Sequence, residues 1–86
     1  MDTRKMIAWN LRRIRVGKNI SQEQLALEAM IDRAYVGRIE RGMENVTVNT
    51  LDALAKALSV TAVEFFRKPV GEPPPLRLRA GRKPKR

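Results

Sequence analysis

The fold is decided by residues 21–42, SQEQLALEAMIDRAYVGRIERG. Ser21 is a good N-cap, and Gln24 three residues later completes a capping box at the start of a helix. Asp32 can cap a second helix, which follows the first after a turn of two residues. Gly42 then supplies the stop signal at the end of that helix. The stretch therefore predicts two short helices that cross steeply, because the turn between them is so short.

Helical periodicity continues on both sides of this stretch. Residues 3–18 form a first helix, whose apolar face repeats at spacings of four and three in Ile7, Leu11 and Ile14. A fourth helix begins near Thr47 or Asn49. Its apolar stripe consists of Val48, Leu51, Leu54, Ala55 and Leu58. Both faces can cover the helix pair in the middle of the chain.

A short fifth helical turn is predicted after Val60. Thr61 caps it, and Glu64 completes a second capping box. Phe65 then closes the core, whereas its neighbour Phe66 must point elsewhere and leaves an apolar spot on the surface. The chain contains no strand-rich region, so we predict an all-α fold of five helices.

The composition changes after Phe66. Five residues oppose helix formation and favour an extended chain, namely Pro69, Gly71, Pro73, Pro74 and Pro75. Residues 73–86 carry six basic side chains and no acid, which is two thirds of the net charge of +9. We therefore divide the chain into a folded domain over 1–68 and a Pro-rich linker with a disordered basic tail over 69–86.

Composition also excludes several classes of function. The chain has no Cys and no His, which effectively excludes a structural zinc site and removes the usual base or nucleophile from most catalytic constellations. We expect no cofactor, no metal and no enzymatic activity. No apolar run approaches the ~20 residues that a membrane span needs, and charges interrupt the N-terminus too early for a secretory signal. A pI near 11.1 indicates attraction to nucleic acid or to an anionic membrane. We expect DNA as the partner, no membrane, and a cytoplasmic, nucleoid-associated protein.

Two helices joined by a tight turn are typical of a helix-turn-helix, which sets its second helix into the major groove of DNA. Over roughly residues 5–66 the sequence resembles the Cro/cI-type, or lambda-repressor-like, helix-turn-helix family. The resemblance is carried by Arg15, by Ser21-Gln22 with Leu25-Ala26, by Tyr35-Val36 with Ile39-Glu40-Arg41-Gly42, and by Leu51 to Leu58 followed by Ser59-Val60-Thr61. Residues 32–48, DRAYVGRIERGMENVTV, also resemble the small dimeric controller proteins of restriction–modification systems.

The resemblance implies a set of DNA contacts. Bases are read by Arg33, Ala34, Gly37 and Arg38, and phosphates are bound by Gln22, Tyr35, Arg41 and Asn45. The chemistry agrees, because arginine can donate two hydrogen bonds to a guanine edge and alanine can touch a thymine methyl. A phosphate is also favoured at the free N–H groups where the second helix begins. The alternative is that Arg33 and Arg38 are solvated surface charges and that Tyr35 only packs.

Three further residues acquire a structural role from the resemblance. Glu40 faces inward and forms an ion pair with Arg15. Met30 stands where many family members have Gly, at a position that favours a positive φ, so either the turn differs locally here or the strain of a left-handed Met is tolerated. Asn19 is a further left-handed site, since Asn tolerates that conformation better than most residues do.

The expected function is that of a sequence-specific transcriptional regulator. One recognition helix reads few base pairs, so a homodimer sets two of them ~34 Å apart on a pseudo-palindromic operator. We expect the fourth and fifth helices to form the dimer interface, with Leu58, Val63 and Phe66 as candidates.

The tail has two interpretations. Arg82, Lys83, Lys85 and Arg86 can form an arm that enters a minor groove or follows phosphates, or they can belong to a merely solvated tail. An alternative function is that of an antitoxin or adaptor whose tail binds a protein partner. A third is a nucleoid-type protein that binds DNA without sequence preference.

Overall fold

The computed structural model describes residues 2–71 and Pro74. Four α-helices cover Thr3–Gly17 (α1), Gln22–Ala29 (α2), Arg33–Glu40 (α3) and Val48–Leu58 (α4), and a 3₁₀ turn covers Ala62–Phe66. Within this part of the chain there is no strand, which confirms the all-α prediction. The fifth element is a 3₁₀ turn rather than an α-helix. Among the described helices, none has the length and apolar character needed to cross a membrane.

Side chains cap three of the helices where they begin. The Asp2 Oδ1 atom accepts a hydrogen bond from Lys5 N at 2.9 Å, and this bond lowers the pKa of Asp2. Ser21 caps α2 by accepting from Gln24 N at 3.0 Å. Thr47 caps α4 in the same way, so of the two predicted starts the structure selects Thr47 over Asn49. Each bond satisfies one of the backbone donors that a helix start leaves unpaired.

Neither predicted capping box is complete. The Gln24 side chain donates to Glu28 Oε2 at 3.3 Å instead of reaching back to Ser21. Glu64 accepts two hydrogen bonds from Arg67, at 2.8 and 3.0 Å. A charged partner competes successfully with a backbone N–H, because charge-assisted hydrogen bonds are the stronger ones. The other two predicted cap residues, Asp32 and Thr61, occupy the N-cap positions of their elements but make no side-chain capping bond.

All four α-helices end in the same six-residue turn. After α2 it consists of the bonds Met30 N to Leu27 O and Ile31 N to Ala26 O, at 3.3 and 3.0 Å. This pattern is the Schellman motif, whose penultimate residue adopts a left-handed conformation. The left-handed residues, with φ between 58° and 73°, are Asn19, Met30, Gly42 and Ser59. The prediction for Asn19 is confirmed. Of the two alternatives at Met30 the structure shows the left-handed turn, and Ser59 was not predicted from the sequence.

The core lies where the four helices and the 3₁₀ turn meet. Its fully buried apolar side chains come from every element, with Leu11, Leu25, Val36, Leu54 and Phe65 at 0% exposure. Phe65 closes the core as predicted, and Phe66 is 41% exposed. Leu58 is a correction to the predicted dimer interface, because its side chain is only 1% exposed and fills the core. Burial of its apolar surface here stabilises the monomer and leaves nothing for a partner to contact.

A buried asparagine fastens the 3₁₀ turn to α1. The Asn10 Nδ2 atom donates to Phe65 O at 2.9 Å and to Arg67 O at 2.8 Å. Its Oδ1 atom accepts from the Arg13 guanidinium, and the residue is 1% exposed. Buried polar groups must be paired in this way to offset their desolvation. Asn10 therefore sets the angle at which the turn, with Val63 and Phe66 on its surface, stands against α1.

Candidate nucleic-acid interface

A buried ion pair fixes α3 against the end of α1. Arg15 donates from Nε to Glu40 Oε2 at 2.6 Å and from Nη2 to Glu40 Oε1 at 2.9 Å. Arg15 Nη1 also donates to Ile20 O at 2.9 Å, and both charged side chains are 0% exposed. Two parallel bonds hold the guanidinium and the carboxylate in one relative orientation. The predicted Arg15–Glu40 pair is confirmed, and it keeps Glu40 away from the outer surface of α3.

The same carboxylate positions Gln22 at the start of α2. Gln22 Nε2 donates to Glu40 Oε1 at 3.0 Å. Both Gln22 and Arg41 have side-chain atoms near Gly37. A Cβ atom at Gly37 would lie 3.4 Å from Arg41 Nη1 and 3.9 Å from Gln22 Oε1. Two phosphate-binding candidates, Gln22 at the start of α2 and Arg41 just after α3, thus lie next to Gly37, and Gln22 stands beside the N–H groups that α2 leaves free.

The outer surface of α3 carries the predicted base-reading side chains. Arg33 and Ala34 are exposed, whereas Tyr35 and Arg38 are half-buried. Arg38 lies with its guanidinium carbon 5.6 Å from the centre of the Tyr35 ring, which is a cation–π distance. Gly37 is buried beneath its neighbours, and the predicted phosphate contacts Arg41 and Asn45 are exposed farther along the chain.

Both arginines of α3 are paired with an acid. Arg33 Nε lies 3.1 Å from Glu23 Oε2, and the two side chains are 59% and 66% exposed. Arg38 Nε donates to Glu44 Oε2. Neither acid was predicted from the sequence to pair with an arginine of α3. Both acids lie outside α3, and no local spacing indicates these contacts.

Arg12 is a third residue that the sequence did not single out. Its Nη2 atom donates to the backbone oxygen of Glu40, and its Nη1 atom donates to Pro74 O at 3.0 Å. Burial lowers the pKa of this guanidinium, and its buried Nε has no partner among the described residues. Arg12 therefore joins the end of α3 to Pro74 of the Pro-rich segment. The candidate tail residues Arg82, Lys83, Lys85 and Arg86 lie outside the described residues.

The comparison with protein families decides the identity of this arrangement. A family model described as helix-turn-helix matches residues 11–65, which include all of α2, α3 and α4. The chain belongs to the helix-turn-helix family. Its α2 and α3 are the two helices of the motif, and α3 is the recognition helix of the family's pattern.

Curated relatives refine this assignment. The control protein C.SmaI of Serratia marcescens is 46% identical over 68 residues, covering 79% of this chain and 81% of that protein. A hypothetical transcription factor of Neisseria meningitidis serogroup B is 38% identical over 68 residues, which are 79% of this chain. The chain spans 64% of the length of that Neisseria relative. The helix-turn-helix chain described here is thus a DNA-binding transcriptional regulator.

A solved structure supports the same fold. The restriction–modification controller protein C.Esp1396I, as a tetramer in complex with its natural 35-base-pair operator, matches with a TM-score of 0.70 and 33% identity. The match covers 77% of this chain and 87% of that one. The described domain therefore has the backbone architecture of a controller protein.

Proposed function

We propose that this helix-turn-helix chain controls transcription by binding a pseudo-palindromic operator as a homodimer. The observation that carries the proposal is the rigid unit of α2 and α3, in which the buried Arg15–Glu40 pair also holds Gln22. Such a unit presents Arg33 and Arg38 outward at a fixed angle. Fixed donors on a recognition helix are what direct readout of base edges requires.

Individual residues then receive roles in the complex. Arg33 and Arg38 donate to guanine edges, and Ala34 contacts a thymine methyl. Gly37 allows the helix to approach the bases closely, since it has no side chain. The phosphate contacts come from Gln22, Tyr35, Arg41 and Asn45. Gln22 Oε1 and Arg41 Nη1 both lie near Gly37, which supports a phosphate-binding group next to the base-reading residues.

Dimerisation uses the surface of the 3₁₀ turn. Val63 is 63% exposed and Phe66 is 41% exposed, although Phe65 between them is fully buried. Two neighbouring apolar side chains on the surface of a small basic domain support a contact with a second copy. The contact sets two recognition helices ~34 Å apart, one turn of B-DNA.

In this proposal the chain consists of a DNA-binding domain over 1–68 and a linker and tail over 69–86. The tail adds affinity for DNA. Arg82, Lys83, Lys85 and Arg86 follow phosphates or enter a minor groove. The bond from Arg12 to Pro74 O supports an arm that starts beside the end of α3, next to the DNA. The protein is a cytoplasmic, nucleoid-associated binding protein without catalytic activity.

The relatives suggest the genes under control. C.SmaI is a control protein, and C.Esp1396I is a restriction–modification controller that has been crystallised as a tetramer on its operator. We propose the same task here, which is to set the expression of a restriction–modification system. Two dimers on neighbouring half-operators are compatible with that task.

Selection of bound sequences from a random DNA pool tests the proposal. The expected result is a two-fold symmetric consensus, with one dimer per consensus site in analytical ultracentrifugation. Recovery of sequences without any consensus at physiological salt would favour the nonspecific nucleoid protein instead. Co-purification of a stoichiometric protein that binds the tail would favour the adaptor.

A further inference from the structure

The loop after α3 turns back onto the recognition helix. Gly42, with a φ of 73°, ends the helix, and Gly42 N donates to Ile39 O at 2.9 Å. Met43 N then donates to Arg38 O at 3.0 Å. These two bonds reverse the chain within one helical turn. Glu44, the next residue, is thereby brought beside Arg38 instead of pointing away from the DNA-binding surface.

Arg38 is held on two sides in this arrangement. Its Nε atom donates to Glu44 Oε2, and its guanidinium carbon lies over the Tyr35 ring, 5.6 Å from the ring centre. The side chains of Arg38 and Glu44 are 43% and 26% exposed, so the pair is partly shielded from water. Shielding and a second contact distinguish it from the Arg33–Glu23 pair, whose side chains are both more than half exposed and which lacks an aromatic neighbour among the described contacts.

The remaining donors of Arg38 face away from the carboxylate. A guanidinium carries five N–H groups in a planar fork. Glu44 occupies the Nε edge, which leaves N–H groups at the Nη1–Nη2 end for the O6 and N7 atoms of a guanine. An arginine already confined to one orientation loses less conformational freedom on binding than a free one does.

We propose that Glu44 is a positioning residue, which sets the Arg38 guanidinium for reading a guanine. The inference rests on the proposed function, since it assumes that Arg38 contacts a base. Glu44 itself touches no DNA and works only through Arg38. Its carboxylate also disfavours a phosphate at this spot, because two anions would then share one cation.

The experiment measures how much each variant's operator affinity depends on the N7 atom of each guanine. Operator DNA is first selected from a random pool with the full chain, and each guanine is then replaced in turn by 7-deazaguanine, which lacks the N7 acceptor. For the wild type, one such replacement per half-site should weaken binding about fivefold or more. Arg38→Ala should remove the effect at that guanine. Glu44→Ala should reduce the same effect to about twofold or less, because Arg38 is no longer set for the bidentate contact.

Three controls distinguish an effect of Glu44 on the orientation of Arg38 from three other effects, namely loss of a negative charge, a contribution independent of Arg38, and loss of folding. Glu28→Ala removes the same charge from an exposed position on α2 and should leave the 7-deazaguanine effect at its wild-type size. Glu44→Ala added to Arg38→Ala should change the guanine preference no further. The thermal midpoint of each variant tests whether the domain stays folded. Glu44→Gln, which keeps the size and an acceptor oxygen, is a second variant and should show an intermediate 7-deazaguanine effect.

The outcomes distinguish the two levels of the argument. If Arg38→Ala abolishes the guanine effect while Glu44→Ala and Glu44→Gln leave it unchanged, the positioning role is overturned and base reading by Arg38 stands. If Arg38→Ala leaves every guanine effect unchanged, base reading by Arg38 itself is wrong. A larger guanine effect in Glu44→Ala than in the wild type would mean that the carboxylate competes with the base, which also overturns the proposal.

Discussion

At the level of single residues, the helix ends are the most constrained positions of the chain. Four Schellman turns each require a left-handed residue, and only one of the four, Gly42, is glycine. The Cβ atoms of Asn19 and Met30 both crowd the backbone there, but the short polar side chain of Asn can hydrogen-bond locally, whereas that of Met cannot. Met30 is also 89% exposed, so no packing of its side chain compensates for the strain.

Met30→Gly should therefore stabilise the domain. Relief of the left-handed conformation contributes about 1–2 kcal/mol, and the greater freedom of glycine in the unfolded chain offsets about half of that. We expect a net gain of up to about 1 kcal/mol, or roughly 4–8 °C in the thermal midpoint measured by circular dichroism. Met43→Gly is the matched control, since Met43 is an exposed methionine without a positive φ, and it should bring no gain. A lower midpoint for Met30→Gly would contradict the argument.

Gly37→Ala should separate stability from DNA binding. Alanine in a helix interior is favoured over glycine by about 0.5–1 kcal/mol, and a Cβ at this position finds ordinary contact distances. The unfolding free energy in urea should therefore rise. Operator affinity should fall, because the new methyl lies 3.4 Å from Arg41 Nη1 and blocks close approach to the bases. Gly17→Ala, which has open space around it, should raise stability without changing affinity. Unchanged operator affinity in Gly37→Ala would argue against a DNA-facing Gly37.

At the level of elements, the Arg15–Glu40 pair determines how the helices are arranged. Its partners come from α1 and α3, and its carboxylate reaches on to Gln22 of α2. A buried pair of this kind contributes little net stability when intact, because desolvation of both charges opposes their attraction. What it provides is one relative orientation of three helices.

Glu40→Gln should be strongly destabilising although it preserves the shape of the side chain. It leaves the Arg15 charge buried without its carboxylate, at a cost of about 3–5 kcal/mol in unfolding free energy. Equilibrium urea unfolding followed by circular dichroism measures the loss. The double variant Arg15→Met/Glu40→Leu should lose less than Glu40→Gln alone, since it removes both charges together. Glu64→Gln, which breaks the exposed pair with Arg67, should leave the midpoint almost unchanged. A similarly small change for Glu40→Gln would show that the charge is compensated elsewhere.

At the level of the whole molecule, charge is distributed unevenly between the domain and the tail. Residues 73–86 carry six basic side chains and no acid, whereas the arginines of α3 are paired with Glu23 and Glu44. Sequence preference therefore depends on the domain in our proposal, and nonspecific affinity depends largely on the tail. Such a division lets a small regulator hold DNA while its recognition helix compares sites.

Deletion of residues 73–86 should weaken operator binding and flatten its salt dependence. Each phosphate contact that is lost changes the log–log slope of affinity against salt by about 0.9. The deletion also removes the Pro74 carbonyl that Arg12 contacts. A full-length variant with Arg82, Lys83, Lys85 and Arg86 replaced by Gln keeps that contact and should flatten the slope by a similar amount. Slopes equal to that of the wild type in both variants would show that the tail does not touch DNA.

The sequence alone determined the number, order and approximate bounds of the helical elements. Apolar periodicity, the cap residues Ser21 and Thr47 and the stop at Gly42 act over one or two turns, so they are readable without a partner. The left-handed site at Asn19 follows from the tolerance of Asn for this conformation, whereas the one at Met30 was predictable only through resemblance to a family. The Arg15–Glu40 pair was predictable only through resemblance to a family, because the two residues lie 25 positions apart.

The tertiary structure decided which polar groups meet. The side chains of Gln24 and Glu64 hydrogen-bond to charged neighbours instead of the backbone. Leu58 lies on an apolar stripe that is compatible with a core or an interface position, and packing places it in the core. Glu44 beside Arg38 and Asn10 beneath the 3₁₀ turn are products of chain reversal and helix packing. A side chain's hydrogen-bond partner depends on distances between elements, which packing sets, whereas the elements themselves depend on local spacing. That is why the helices of this regulator follow from its sequence and the fine geometry of its DNA-binding surface follows only from its fold.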